Sequence, residues 1–536
     1  IDNPAQLSLQ PLIRDQIVAT LTPDVRQRRL LHRVAAVWYE QLGTDTVEIA
    51  YHYTCADDLE ASVEVLTDRS RLLSSRGQAY AAVEITDDLL ARTRRRPGDQ
   101  TSTIRQLLLI RGDLLVGTLR ATEAEVSYRQ ALAVATQPTL RAFIIQHLAD
   151  SLALRGQASE ALRLCRDARA ELCASDTLLL AQIASTESRA NLTLGEHDAA
   201  LRRAEQALAL ADQIAEVLPQ RAAALQARTR LVIGSILQMR QQFSAALQQF
   251  QSGIAAVRYA GVPALESEYD LVIGSLLFAQ GDLTAALVWC DETLPRLHVR
   301  GEALAAGRLL GLRAFCQLYR GELAAALAAI DQSRAIAEIT GDDYGLNIAQ
   351  IRRSRILIAM GRSAEARQSI ERALAVDESA GGPRDLGYLL DRLAVIEMIE
   401  RDAVAAQATL RRAPALTTAE DDIKLRADLC HDLAVATLMS GEVAKAQQVL
   451  ADPPDASDVP TDYERQLIQA LILLISGDAP AASSLAEGVA AQARASGYAL
   501  FGVIASQVLA AIAAPPPLAD LGRLLWVAGE ALLVEE

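Results

Sequence analysis

Lysine is almost missing from this sequence. Of 52 basic residues, only Lys424 and Lys445 are lysines and the other 50 are arginines. A phosphate-cradling loop closes a Gly-x-x-x-x-Gly run with lysine, and neither lysine follows such a run, so the chain carries no site of that type. Aromatic residues make up only 4% of the 536 residues, with Ala and Leu dominant, which excludes an all-β chain. The six cysteines (Cys55, Cys165, Cys173, Cys290, Cys316 and Cys430) contain no Cys-x-x-Cys pair, which excludes a secreted disulfide scaffold and implies reduced thiols in the cytoplasm. Cys165 and Cys173, eight apart, would lie about 12 Å apart along a helix, too far for a disulfide. Positive charge is also short: 52 − 67 gives −15, a balance that repels phosphate backbones and argues against direct nucleic-acid binding. No signal peptide opens the sequence, which starts at Ile1 rather than Met and reads as part of a longer polypeptide. No clean membrane run exists either. Ala495–Ala519 lacks charge but is broken by Ser506, Gln507 and Pro515–Pro517, so it reads as a buried terminal helix.

What is present is repetition. Anchors at Gly77, Gly156, Gly195, Gln241, Gly281, Gly321, Gly361, Arg401, Gly441 and Gly477 are each followed five residues later by alanine, from Ala82 to Ala482. Five equal steps in a row lead from Gln241 to Gly441. An irregular unit near Gly117, its register shifted by about two, fills the gap after Gly77. Seven residues before the anchors from Gly156 onward stand Ala149, Ser188, Gly234, Gly274, Ala314, Ser354, Ala394, Ala434 and Ala470, all small. Small residues also recur twelve after the anchor, among them Ala168, Ala207, Gly253 and Ser333. Each unit reads as helix, tight turn, helix, because glycine costs about 1 kcal/mol in a helix interior.

These columns resemble the tetratricopeptide repeat, over roughly residues 70–535. The resemblance implies an all-α, right-handed superhelical solenoid of about twelve helical hairpins. The period of roughly 40 residues exceeds the family's 34 residues by about six. The extra residues are expected in the helices or the inter-unit loops, and 337–342 reads as such a loop. Residues 71–536 form the repeat array, with 498–536 as a capping hairpin and final helices at about 498–513 and 518–533.

Residues 1–70 differ. They read as helices over Leu9–Leu21, Val25–Leu42, Thr46–Tyr53 and Leu59 to about Ser75. Gln10-Pro11-Leu12-Ile13-Arg14-Asp15, Leu31-His32-Arg33-Val34-Ala35-Ala36, Glu48-Ile49-Ala50-Tyr51-His52-Tyr53 and Ala56-Asp57-Asp58 resemble the junction after the ATPase and winged-helix region of STAND-type regulatory ATPases, such as the maltose-regulon activator type. That resemblance implies a sensor superhelix that captures a protein, peptide or small-molecule inducer for an upstream ATPase module of the same polypeptide. A constitutive repeat scaffold without a switch is the alternative. Any ATP site would lie upstream, and this chain itself is expected to hold no cofactor.

No catalytic or metal-ligating constellation is visible. The histidines show no His-x-x-x-His pair, and Cys430 and His431 are adjacent, so they project about 100° apart on a helix. Cys165 and Cys290 share a core column nine residues after the anchor. Arg94-Arg95-Arg96 beside Pro97-Gly98 reads as a solvated loop. Function therefore rests on surfaces. The family register turns positions 13, 10, 6, 3 and 2 before the anchor inward. It places Arg228, Glu268, Arg308, Ile348, Tyr388 and Asp428, then Gln146, Asp391 and His431, on the concave face. Asp150, Arg189, Ser235, Ser275, Phe315, Arg355 and Tyr319 join them. The candidate partner-binding set is Arg228, Glu268, Arg308, Phe315, Tyr319, Arg355, Tyr388, Asp391, Asp428 and His431. The other reading of Arg228–Glu268–Arg308 is an inter-repeat salt-bridge ladder.

Overall fold

In a computed structural model, residues 24–529 are described except for 44–45, 76–77, 118–119, 155, 341, 381–382, 417–422 and 452–457. The expected helix at Leu9–Leu21 lies outside the described residues. The described chain is all-α. It opens with α1 (Val25–Leu42), α2 (Thr46–Cys55), α3 (Leu59–Ser75), α4 (Ala79–Arg95), α5 (Thr101–Gly117) and α6 (Ala121–Ala133). Next come α7 (Pro138–Leu154), α8 (Ala158–Ala170), α9 (Thr177–Thr193), α10 (His197–Ile214), α11 (Pro219–Met239) and α12 (Phe243–Ala260). They continue as α13 (Pro263–Ala279), α14 (Leu283–Arg300), α15 (Ala303–Tyr319), α16 (Leu323–Thr340), α17 (Asp343–Ala359) and α18 (Ser363–Ala380). The last are α19 (Pro383–Ile399), α20 (Ala403–Leu416), α21 (Ile423–Met439), α22 (Val443–Leu450), α23 (Val459–Ile475), α24 (Ala479–Ala495), α25 (Ala499–Ala513) and α26 (Leu521–Trp526). Pairing α3 with α4, and so on to α25 with α26, gives twelve TPR-like hairpins. Two compact units divide the chain: Ile1–Ile236 with Ala255–Ala264, and Leu237–Ile254 with Leu265–Glu536.

The anchors end the first helix of each hairpin. Every described anchor takes a positive φ, from Gly156 at 76° to Gly477 at 91°. The residue after it donates its N–H back to the carbonyl five residues earlier, as in Asp282 to Leu277 (3.1 Å) and Glu322 to Gln317 (2.9 Å). This Schellman closure satisfies carbonyls the helix end would otherwise orphan. Gln241 (58°) and Arg401 (69°) hold the same left-handed conformation without being glycine. In the irregular unit the equivalent bond runs from Arg120 to Leu115 (3.0 Å), two residues later than Gly117 would place it.

Each alanine five residues after an anchor, from Ala82 to Ala482, is fully buried. The small residue seven before the anchor is buried in every hairpin from Ala149 to Ala470. A Cβ on Gly274 would meet Leu312 Cδ2 at 2.9 Å and Trp289 Cδ1 at 3.2 Å. Helix-to-helix approach, not turn chemistry, therefore fixes these columns.

Three expectations about helix ends need correction. Residues 337–340 are helical: α16 runs to Thr340, whose hydroxyl bonds the Ile336 carbonyl at 2.8 Å. Ala337 is buried, so that turn packs and is not a loop. The surplus over the family period lengthens the helices, which measure 17 and 18 residues through α14–α19. The helix expected at about 518–533 is interrupted within its described part, and residues 530–533 lie outside the described residues. A 3₁₀ turn at Leu518–Asp520 leads into α26, which ends at Trp526, and Val527 is extended. The chain leaves the helix because Ala528 donates its N–H to Ala359 O at 2.9 Å, at the end of α17. The basic run Arg94–Arg96 is also no loop. Arg94 and Arg95 form the last turn of α4, where cations suit the helix dipole, and Arg96 caps it while bonding Asp57 O at 2.8 Å.

In the second unit the first helices α15, α17, α19, α21, α23 and α25 each pack on the next, and α25 returns to α15. α26 lies against α19 and α21. Gly522 makes this possible: a Cβ there would come within 2.7 Å of the Met398 backbone.

Candidate functional site

The first unit carries an open groove of about 570 Å³ along α7, α9 and the start of α11. Gln146, Asp150, Arg189 and Arg228, all on the predicted inward face, line it together with Asp176, Gln182, Thr186 and Arg221. Asp150 is held by the Arg189 guanidinium at 3.3 Å and by the Thr186 hydroxyl at 3.1 Å, and Gln146 donates to that hydroxyl at 3.1 Å. Burial opposes ionisation of Asp150, but Arg189, Arg228 and His147 overcome it and hold its carboxyl below the usual range. Arg221 is exposed and makes no ion pair among the described residues. Three arginines against Asp150 and Asp176 leave the groove at +1, in a chain of −15. Thr139, Phe143, Leu178 and Leu225 add apolar wall.

The second unit treats its inward residues differently. Arg308 grips Asp342 with two bonds, 2.9 and 3.0 Å, and Asp342 is buried at the N-cap of α17. Lys424 reaches Asp458, the α23 N-cap, at 2.7 Å, and Ser267 bonds Glu302, the α15 N-cap. These acids share one repeat column, the position just ahead of each first helix. The sequence reading missed that column, although helix-start acids are a readable signal. Glu268 is exposed; Tyr388, Ile348 and Phe315 are half-buried, Ser275 is exposed, and Ser235 in the first unit is half-buried.

Tyr319 is buried at 1% exposure inside a ring of aromatics: Phe278 (5.9 Å), Phe315 (4.9 Å), Tyr498 (5.9 Å) and a stacked Phe501 (5.7 Å). The Arg355 guanidinium lies 5.8 Å from its ring and pairs with Glu464, 109 residues away in sequence. Asp391 pairs with Arg392, which lies 3.8 Å from Asp432. Asp428 faces Lys424 at 3.8 Å. Burial favours the neutral form of Asp432 and pushes its pKa well above normal, with Asp391 adding to it; burial also raises Glu464, against the pull of Arg355. Burial lowers His431 to about 4, and neither of its ring nitrogens has a hydrogen-bond partner among the described residues. Of the predicted set, Tyr319, Arg355, Asp391, Asp428 and His431 thus meet in one buried polar core. Glu464 belongs to the same 13-before column as Asp428, one unit further on. Arg392 and Asp432 lie nine before their anchors, a column of mixed polarity (Val232, Val272, Leu312 and Ile468, but also His147, Thr186 and Arg352) that gave no sequence signal.

One further juxtaposition escaped the sequence. His32 and His52 face each other through Nδ1 atoms 2.8 Å apart, with Tyr39 stacked on His52 at 5.5 Å. Among the described residues no group of three or more His, Cys, Asp or Glu is placed to hold a metal ion, and no helix is long and apolar enough to cross a membrane.

No protein-family model and no curated protein matches the sequence. Among solved structures, a signal-transduction ATPase with numerous domains and a tetratricopeptide repeat sensor from Pyrococcus horikoshii is 13% identical, with a TM-score of 0.44. The match covers 62% of this chain and 52% of that one, so it spans about half of that protein's length. The Cut9–Hcn1 hetero-tetramer of APC/C is 16% identical at a TM-score of 0.47, covering 96% of this chain and 94% of that one. A tetratricopeptide repeat protein from Parabacteroides merdae is 15% identical at 0.34, covering 54% of this chain and 99% of its own. These likenesses are too distant to transfer a function.

Proposed function

We propose that this chain is the ligand-capture arm of a STAND-type regulatory ATPase and that the first-unit groove is its receptor surface. The observation that carries this is the open, net-positive groove along α7, α9 and α11, set in a strongly acidic chain. Its arginines supply charge-assisted hydrogen bonds and its apolar wall supplies contact area, a pairing that suits an inducer bearing carboxylates or phosphates on an apolar body. The switch part of the reading rests on the wording of residues 10–58. For ligand capture to drive a switch, the ligand must bind one nucleotide state better than the other. The second-unit residues Tyr319, Arg355, Asp391, Asp428 and His431 then act as the polar core that shapes the arm rather than as the contact surface. A constitutive scaffold is the competing reading.

The test uses the full-length polypeptide in its source cell. A photo-crosslinker replaces Leu178 in the groove or Arg163 on the outer helix α8, and the captured ligand is identified. Its affinity is then measured against Arg228→Glu and Arg221→Glu. Capture at 178 and at least tenfold weaker binding in the charge reversals are expected. Capture only at 163, or unchanged affinity, would overturn the site. Ligand binding that leaves ATP turnover unchanged would support the scaffold instead.

A further inference from the structure

α1 carries large apolar residues on its outer side. Leu30, Leu31, Val34, Val37, Trp38 and Leu42 are each between 41% and 63% exposed. At about 100° per residue they share one arc of about 140°, a continuous face of the helix. Within 30–42 the only polar residue on that arc is Gln41. The opposite side of α1 is already used. Ala36 is fully buried with Ile49 and Tyr53, Tyr39 stacks on His52, and His32 meets His52 through Nδ1 atoms 2.8 Å apart. α1 is therefore seated on α2 by one face while a second, apolar face stays bare. A contiguous apolar patch of this kind marks an interaction surface.

Three properties of the face point to a second copy of the same chain as its occupant. The first is size. Six large side chains, each about half exposed, leave about 500 Å² bare, and two such faces bring about 1,000 Å² together. With a polar rim added, the pair reaches the about 1,200 Å² at which stable interfaces begin. The second is symmetry, because a two-fold interface must match its own image. With two α1 helices antiparallel and the axis level with residue 36, Leu30 meets Leu42 and Val34 meets Trp38, each twice. The third is charge. Arg33 and Glu40 lie seven apart on one flank of the face, and both are exposed. In the same antiparallel register Arg33 comes level with Glu40 of the second copy, and Glu40 with its Arg33. A lipid surface fits less well, since a chain at −15 is repelled by anionic headgroups.

We infer that the Leu30–Leu42 face of α1 is a homodimer interface, through which two copies of the chain pair antiparallel. Sedimentation velocity on the whole chain from about 1 to 100 μM should show monomer giving way to dimer. Val34→Asp places a charge at the centre of the face, at a position already exposed. It should raise the dimer dissociation constant at least tenfold while helical circular dichroism is retained. Cysteines read the orientation, with the exposed thiol Cys173 changed to serine. A mixture of Leu30→Cys and Leu42→Cys chains should form an interchain disulfide at least tenfold faster than either variant alone. Equal rates would overturn the antiparallel pairing. A monomer at every concentration, or a dimer indifferent to Val34→Asp, would overturn the interface. A photo-crosslinker replacing Val34 that reaches only its own chain would overturn it too, and assign the face to an intramolecular contact. A chain that stays monomeric but sediments with phosphatidylcholine–phosphatidylserine vesicles, and loses this with Val34→Asp, would overturn it in favour of a membrane surface.

Discussion

The second unit closes on itself through the Tyr319–Phe501 stack, the Arg401–Asp520 pair and the Arg355–Glu464 pair, and the last of these sets the most informative perturbation. Arg355 and Glu464 belong to α17 and α23 and leave only 15% and 17% of their side chains exposed. Arg355→Met removes the guanidinium, fills most of its stem volume and leaves Glu464 buried. Breaking a buried pair from one side typically costs about 3–5 kcal/mol. Glu464 has two escapes. It can lean on Lys424, and it can take up a proton, at about 1.4 kcal/mol for each unit between its pKa and pH 7. Since burial already raises that pKa, protonation caps the loss, and about 3 kcal/mol is expected. Glu464→Leu added to Arg355→Met should restore stability to within about 1 kcal/mol of the parent, because two apolar groups leave no stranded charge. Urea unfolding in a Trp38→Phe background reports the second unit, through Trp289 and Trp526. Hydrogen exchange should show α25 and α26 losing protection first, as their return to α15, α19 and α21 depends on the closure. A single-variant loss below about 1 kcal/mol, or additive effects in the double variant, would refute the clasp.

Three further outcomes follow from particular residues. Gln241→Gly should stabilise the second unit by up to about 1 kcal/mol, since Gln241 holds φ at 58° where glycine has no Cβ penalty; an unchanged melt would contradict the strain. Gly274→Leu and Ala326→Leu should each destabilise by about 1–3 kcal/mol through overpacking, and parental melting temperatures in both would refute the helix contacts assigned to these columns. His431 makes stability fall in acid. With a folded pKa of about 4 against 6.5 unfolded, the unfolded chain binds more protons between those values, so up to about 3 kcal/mol is lost as pH drops from 6.5 to 4. Asp432 and Glu464, raised in the folded state, act in the opposite sense, so the check is the difference between parent and His431→Leu: equal slopes from pH 6.5 to 4 would show that His431 is not held neutral.

The legible part of this fold is its local grammar. A glycine column reports a backbone conformation, and the structure puts each described anchor in it, including the glutamine and the arginine that stand in the column. A column of alanines reports a distance between helix axes, and each is buried. Helix bounds at Val25–Leu42 and Leu59–Ser75 were readable because caps and breakers are local. The family register assigned one face of each first helix to the inside. It did not say whether that face meets solvent. That depends on the rotation between successive hairpins, a small angle set by many side chains at once and summed along the array. A one-residue column carries almost none of it.

The two units show how that sum decides the site. In the second, anchors recur at a constant step from Gln241 to Gly441, and the first helices α13, α15, α17, α19, α21 and α23 have one length, 17 residues. Equal units stack with equal rotation, so the helices curl evenly until α25 reaches α15. Arg355 then meets an acid 109 residues away, and the inward face becomes a core. In the first unit the repeat is uneven. The anchor spacing moves from 39 to 46 between Gly156, Gly195 and Gln241, and α11 is 21 residues long. Among the described residues no first helix of that unit is returned to an earlier one in the way α25 is, and Asp150, Arg189 and Arg228 keep access to solvent in a groove. The same register therefore yields structural charges where the period is regular and an accessible groove where it breaks. Regularity of spacing, read along with the columns, is the sequence signal that separates the two.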